Sequence, residues 1–394
     1  MPYIDWMGKD DIKDHHKSIA YKTIECKEEI GDIDSENMII KGDNLLALKS
    51  LLPYYASSVK MIYIDPPYNT GNTSWVYNDN MDSPLIKKWL NDTVNADDLS
   101  RSDKWLCMMY PRLKLLRELL KDDGVIFISI DNAEVTHLKM ICDEIFGIDN
   151  FVTNSIWRSS DNSNNDAKQF SSDYNHTLVY SKKSGWSPNK IFDSSKSTHY
   201  KNPDNNPKGA YFDGNPLNSP SPRENLTFDI ISPNGTIIKP PKNGWRWSKE
   251  TIEEKIKIGE IRFTEDEQRI KRRTYLSDLK GLPPSNLWID LNLTGHNRQA
   301  KYELLNLFPE NIFATPKPIK LLKFLLEIST QEDDIILDSF AGSGTTAHAV
   351  LEQNKEDGGN RKFILIETLD YAKDITAERG RRVIKGYDFM GKDK

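Results

Sequence analysis

Two short stretches of the chain combine residue types that point to chemistry. The first is Asp65-Pro66-Pro67-Tyr68, at the end of the apolar run VKMIYI. Asp65 and the carbonyl of Pro66 can accept hydrogen bonds from an exocyclic amino group. The prolines, fixed in φ, hold those acceptors in place. Tyr68 offers a flat face on which an extruded base can stack. This set suits methyl transfer to an amine conjugated with a heterocycle. The lone pair of such a nitrogen is delocalised into its ring. Acceptors on its N–H bonds return electron density to the nitrogen and stabilise the positive charge that develops there. A sulfonium methyl donor needs no metal, and in-line placement of nitrogen, carbon and sulfur carries much of the barrier reduction.

The second stretch is DDIILDSFAGSGTTAHAV, residues 333–350. A strand ending at Asp338 leads through Phe340, Ala341, Gly342, Ser343 and Gly344 to a helix that starts near Thr345. Glycines at such a turn let a nucleoside cofactor lie against the backbone. The next strand, KFILIE, ends in Glu367, where a carboxylate is well placed to accept hydrogen bonds from ribose hydroxyls. No lysine follows the glycines, so this is not a phosphate-binding loop. The segment GYDFMGKD at 386–393 has Asp393 where a serine or threonine is needed, and ATP hydrolysis is not expected.

The elements that must position these groups follow from patterning. Val59–Ile64, Val125–Ile130, Thr177–Tyr180, Ile335–Leu337 and Phe363–Ile366 read as buried strands. Helical periodicity marks 104–120, 133–146 and 317–328. Strands alternating with helices predict an α/β fold with a mostly parallel sheet. Between 185 and 310 the texture changes to Gly, Pro, Asn and Ser clusters with short strands around one helix. The reading is an inserted α+β lobe at 185–310, splitting a catalytic domain into 1–184 and 311–394. The polar stretch 159–175 reads as a mobile loop. With 394 residues, 37% hydrophobic and 28% charged, the chain is of a soluble globular type. No apolar run reaches the roughly 18 residues needed to cross a bilayer, and no signal peptide is evident. Three widely spaced cysteines argue against a disulfide framework and for a reducing cytoplasm. The net charge of −6 does not by itself advertise a nucleic-acid binder.

DPPYNTGN followed much later by FAGSG resembles the β-class DNA adenine-N6 methyltransferases, in which the methyl-acceptor half precedes the cofactor half. The stretches KGDNLLALKSLLPYYASSVKMIYIDPPYNTGN and TTAHAVLEQNKEDGGNRKFILIE are most similar to modification subunits of Type III restriction–modification systems. The resemblance implies a Rossmann-like fold with helices on both faces of the sheet, S-adenosylmethionine as methyl donor, and a target recognition region between the two halves. It places Lys317 and Pro318 of TPKP beside the methionine end of the cofactor, and Asp43 of KGDN beside its adenine. Phe340 would flank the cofactor, and Trp157 would stand near the flipped base, although an ordinary core tryptophan fits that position equally well. Duplex DNA is the implied partner, with a homodimer and a restriction subunit as further ones. Subunits of that subgroup continue past the point where this chain ends, so a truncated form, a solitary methyltransferase and a shorter relative all fit.

For DNA contact the central lobe offers Arg246 between Trp245 and Trp247, and the run Lys271-Arg272-Arg273. Cations neutralise phosphates and arginines reach guanine edges, whereas Trp245, Trp247 and Trp288 packing a small core is the plainer explanation of the aromatics. The related alternatives are an N4-cytosine methyltransferase, whose motif usually begins with Ser instead of Asp, and a non-catalytic DNA-binding subunit of a restriction complex.

Overall fold

A strand covered by helices on both faces must be apolar at nearly every position, and such runs set the architecture here. A computed structural model describes residues 4–70, 100–192, 198–215, 217–310, 313–389 and 392–393; Gly71 and Asn72 of the first motif lie outside them. The chain divides into two compact units, Met1–Asn189 with Pro284–Lys394, and Lys190–Pro283.

In chain order the larger unit opens with β1 (Met38–Lys41), β2 (Val59–Ile64), β3 (Leu120–Ile130), β4 (Phe151–Arg158) and β5 (Tyr174–Ser181). The smaller unit holds β6 (Tyr211–Asn215), β7 (Ile230–Ile231), β8 (Ile237–Ile238), β9 (Ile261–Phe263) and β10 (Ile270–Tyr275). The larger unit resumes with β11 (Leu287–Trp288), β12 (Ile335–Asp338) and β13 (Lys362–Glu367). These eight strands of the larger unit form one sheet in the order β1-β13-β12-β2-β3-β5-β4-β11. All described pairings are parallel except those of β5, which runs against β3 and β4.

Helices Asn44–Tyr55, Arg101–Leu119 and Val135–Phe146 pack as one group, and Ile319–Ser329 with Thr345–Asp357 as another. Together they cover the sheet in a layered α/β arrangement. The Arg101–Leu119 helix starts at a reciprocal cap. Ser100 Oγ accepts from the Asp103 N–H, and an Asp103 carboxylate oxygen accepts from the Ser100 N–H. All five predicted strands are present. The sequence reading missed β1 and β4, whose burial is only partial, and the two-residue β11.

The inserted unit is shorter than the 185–310 expected. Trp288 lies on β11, which pairs with β4, so residues 284–310 fold with the larger unit and Trp288 packs there against Phe324. The smaller unit has a three-stranded sheet in the order β6-β10-β9, the β7–β8 hairpin and helix Lys249–Lys257. Its own core contains Leu217, Leu226, Trp245, Ile252 and Ile261. No described helix is long and apolar enough to cross a membrane.

The order of the sheet reverses between β2 and β12. From that boundary β2 is followed by β3 on one side and β12 by β13 on the other, with β1 lying beyond β13. A crevice outside the carboxyl ends of the strands forms at such a reversal. The turn after β12 lies at its edge and depends on Gly344, whose φ is +78° and where a Cβ would come within 2.9 Å of the Thr376 carbonyl oxygen. Gly344→Ala is therefore expected to lower the unfolding free energy by about 1–3 kcal/mol in urea titrations, because both conformation and space are unsuited to a side chain.

Candidate functional site

At the reversal point lies a cleft of about 650 Å³, a size typical of sites for nucleotide-sized ligands. The two motifs meet in it. Asp65, Pro66, Pro67 and Tyr68 leave β2, and Asp338, Phe340, Ala341, Gly342 and Ser343 leave the neighbouring β12; all nine line the cleft, together with Asp43, Lys317 and Glu367. Gly344 and Pro318 stand just behind it as the residues capping helices Thr345–Asp357 and Ile319–Ser329.

The proline corner is fixed from below by residues that the sequence reading overlooked. Trp105, wholly buried, donates its indole N–H to the Pro67 carbonyl at 2.7 Å. Asn69 closes the corner in the left-handed region, with φ 59°, a conformation asparagine tolerates better than most residues. Its amide donates to Glu134 Oε1 at 2.6 Å, and buried Glu134 also accepts from the Ser102 hydroxyl at 2.8 Å. The Tyr68 hydroxyl donates to Asp65 Oδ1 at 2.7 Å, and the Lys317 ammonium pairs with Asp65 Oδ2.

The glycine turn is tied down by carboxylates. Asp338 accepts from the Phe340 N–H at 3.0 Å and the Thr346 hydroxyl at 2.6 Å. Glu367 accepts from the N–H groups of Gly342 at 2.8 Å and Leu369 at 2.9 Å. Each Glu367 oxygen keeps a further lone pair for a ligand hydroxyl. Behind the turn, Arg379 is fully buried and donates to Ser343 Oγ at 2.9 Å and Thr345 Oγ1 at 2.8 Å. Asp43 caps helix Asn44–Tyr55 by accepting from Leu45 and Leu46. Asn44 then donates to the Ser339 carbonyl at 3.0 Å, and buried Arg112 donates to Asn44 Oδ1 at 2.6 Å. Arg112, the one charged residue in the apolar stretch WLCMMYPRL at 105–113, was the sequence signal that could have exposed this brace.

Several features suit a cationic nucleoside ligand. Four carboxylates, from Asp43, Asp65, Asp338 and Glu367, line the cleft against the two cations of Arg112 and Lys317. Phe313, Phe340 and Tyr371 add ring faces to the wall. The hydroxyl of Ser339 is buried there with no hydrogen-bond partner among the described residues, and a buried polar group of that kind is normally satisfied by a ligand or water. Burial pushes the Asp338 carboxyl up to about 7, assisted by the negative charges of Asp65 and Glu367 and opposed by the Thr346 and Phe340 donors. Burial also raises Glu367.

The expected base- and DNA-contacting residues fare differently. Trp157 does not line the cleft; it is wholly buried and donates its indole N–H to the Gly295 carbonyl at 3.2 Å, so it presents no ring face. In the smaller unit, Arg273 is buried in a fork with Asp213, at 2.8 and 2.7 Å, and lies 3.4 Å from the centre of the Tyr211 ring. It serves that unit's interior, because a buried arginine needs a paired carboxylate. Arg272 pairs with Glu260 at 2.9 Å and stacks on Trp247. Arg246 and Lys271 are exposed and form no ion pair among the described residues.

The DNA methylase family matches residues 59–378 of the chain. The chain is 38% identical to the Type III restriction-modification enzyme StyLTI Mod subunit of Salmonella typhimurium, over 94% of this chain and 58% of that subunit. It is 31% identical to the Type II methyltransferase M.KpnI of Klebsiella pneumoniae, over 86% of this chain and 82% of that protein. Among solved structures it is similar to the PvuII DNA methyltransferase (cytosine-N4-specific), with a TM-score of 0.45 and 14% identity over 86% of this chain and 84% of that one. The chain thus spans little more than half the length of the Mod-subunit relative.

The raised Asp338 has a signed consequence. Its folded pKa of about 7 lies above the ordinary carboxylate value of 3.8, so the folded protein binds more protons than the unfolded chain between those values. This group's contribution to stability therefore falls as pH rises through that window. Relative to wild type, Asp338→Asn should gain about 1–4 kcal/mol of unfolding free energy between pH 4 and pH 8, read from denaturant titrations of both proteins.

Proposed function

The chain belongs to the DNA methylase family, and from that premise we propose that it transfers a methyl group from S-adenosylmethionine to N6 of an adenine in duplex DNA. The observation that carries this reading is the meeting of Asp65 and Pro66 with the 338–344 turn in one cleft. An aspartate at the first motif position favours adenine over cytosine N4. The likeness to a Mod subunit along nearly the whole chain supports a place as the modification component of a restriction–modification system.

S-adenosylmethionine fits the cleft, where it would supply an electrophilic methyl carbon on a positively charged sulfur. Glu367 would accept from ribose hydroxyls, Asp43 would meet the adenine edge, and Phe340 would cover a ring face. Lys317 would meet the carboxylate of the methionine end. The chain's part in the chemistry is then to hold the target amine. Asp65 Oδ2 and the Pro66 carbonyl accept its two N–H bonds, which returns the nitrogen lone pair to the reacting direction. The Asp65 charge stabilises the ammonium as it forms, an effect of a few kcal/mol in a water-poor site. The Trp105 and Asn69 bonds keep those acceptors from rotating away, so little reorganisation is needed as charge develops.

DNA contact is assigned to the smaller unit through the exposed Lys271 and through Arg246, which lies over the Trp247 ring. Arg272, shared between Glu260 and Trp247, would help only by exchanging partners, and Arg273 and Trp157 are left out of the assignment.

The chain incubated with radiolabelled S-adenosylmethionine and mixed-sequence unmethylated duplex should yield label in N6-methyladenine after digestion to nucleosides. Asp65→Ala should reduce the rate by about 100-fold or more. Label in N4-methylcytosine would keep the mechanism and overturn the base; bound cofactor with no label on any DNA, with or without a restriction subunit, would favour a silent binding module. Arg246→Ala combined with Lys271→Ala should weaken DNA binding on all sequences and flatten the log–log salt dependence by about 2.

A further inference from the structure

Both oxygens of the Asp65 carboxylate already have donors. Tyr68 donates its hydroxyl to Oδ1 at 2.7 Å, and the Lys317 ammonium pairs with Oδ2 while lying 5.2 Å from the centre of the Tyr68 ring. An amine that is to be held by Asp65 must displace one of them or crowd in beside it. The Tyr68 ring packs against the main hydrophobic core, so its hydroxyl moves only with a packed ring. Lys317 is different. Its backbone is held between Pro316 and Pro318, ahead of a helix whose first N–H, from Ile319, donates to Glu303 at 3.0 Å. Its four-carbon stem nevertheless lies along the cleft and can swing about χ angles without disturbing that frame. Asp338 and Glu367, the nearby alternative carboxylates, are engaged by the turn's own N–H and hydroxyl donors. A ligand carboxylate entering the cleft is then the natural competitor for the Lys317 ammonium.

We propose that Lys317 is an exchangeable counter-ion, shared in competition between Asp65 and the α-carboxylate of the cofactor, so that cofactor uptake opens Asp65 Oδ2 to the target amine. The inference rests on the reading of the cleft as an S-adenosylmethionine site and adds to it an order of events, cofactor before base. Lys317 is a positioning residue in this scheme. It withholds the acceptor from the amine until the methyl donor is in place, which prevents a base from being held where no transfer can follow.

The competition is measurable without turnover or DNA. S-adenosylhomocysteine carries the α-carboxylate but no sulfonium charge, and 5′-methylthioadenosine lacks the amino-acid tail. Calorimetric binding of both to wild type, Asp65→Asn, Lys317→Met and the double variant forms a closed cycle. Asp65→Asn, which releases the lysine, should tighten S-adenosylhomocysteine about five-fold, the worth of a partly exposed ion pair. Lys317→Met should weaken it, and in that background Asp65→Asn should have no further effect. Affinity for 5′-methylthioadenosine should be the same in all four proteins, which also shows that each is folded. If Asp65→Asn weakens S-adenosylhomocysteine or leaves it unchanged while Lys317 is present, the lysine bridges the two carboxylates or ignores one, and the exchange is wrong. If the wild type binds neither nucleoside nor S-adenosylmethionine, the cofactor reading itself is at fault.

Discussion

Three carboxylates at neighbouring strand ends, those of Asp65, Asp338 and Glu367, must share one cleft, and much of the surrounding structure answers that constraint. Burial disfavours the charged form of a carboxylate unless donors intervene, and at Asp338 the neighbouring negative charges add to that effect. The chain supplies a different donor set to each. Glu367 takes two backbone N–H groups, Asp338 a backbone N–H and a threonine hydroxyl, and Asp65 a tyrosine hydroxyl and a lysine. Asp338, the most deeply buried of the three, is pushed up to about 7, and Glu367, likewise held by neutral donors, is raised as well. Asp65 alone of the three has a full cation, Lys317, as a donor.

Donors of this kind are useful only if they cannot drift, and the frame around them is correspondingly rigid. The glycine turn is bonded on one side to the strand-end carboxylates and on the other to Arg379 and Thr376. The proline corner is held by Trp105 and by the Asn69–Glu134–Ser102 chain, which ties it to the start of helix Arg101–Leu119. Arg112 reaches from the middle of that helix to Asn44, whose amide grips the loop after β12. A single helix therefore braces both motifs, so a packing defect in it would be felt at both ends of the cleft.

The smaller unit is inserted between β5 and β11, outside the run of parallel strands that bears the site. Only a connection between sheet elements is lengthened by it. It also has its own means of cohesion, a core around Trp245 and the buried Arg273–Asp213 fork. Those needs divide its cations into two sets. Some are consumed in holding the unit together, and others, such as Arg246 and Lys271, remain exposed.

The sequence alone determined the strand-end chemistry: Asp65 through Tyr68, the turn at 340–344 and Glu367 are all encoded within a few residues of a strand terminus. Proline rigidity, glycine freedom and the direction of parallel strands are local rules, so these groups could be placed in one cleft without coordinates. The α/β class was legible for the same reason, as was the existence of a separate central lobe. Its boundary was not, because a two-residue strand at 287–288 carries no periodicity and is defined only by its partner β4. Tertiary structure alone decided which side chains are committed. Lys317 and Asp65 are 252 positions apart, Arg273 and Asp213 are 60 apart, and Trp157 and Gly295 are 138 apart. Whether a cation is a ligand contact or a buried counter-ion, and whether an indole is a stacking face or core, depends on the group that packing brings against it. Residue type and spacing cannot reveal that group, because its position is fixed by the whole sheet and its helices closing together.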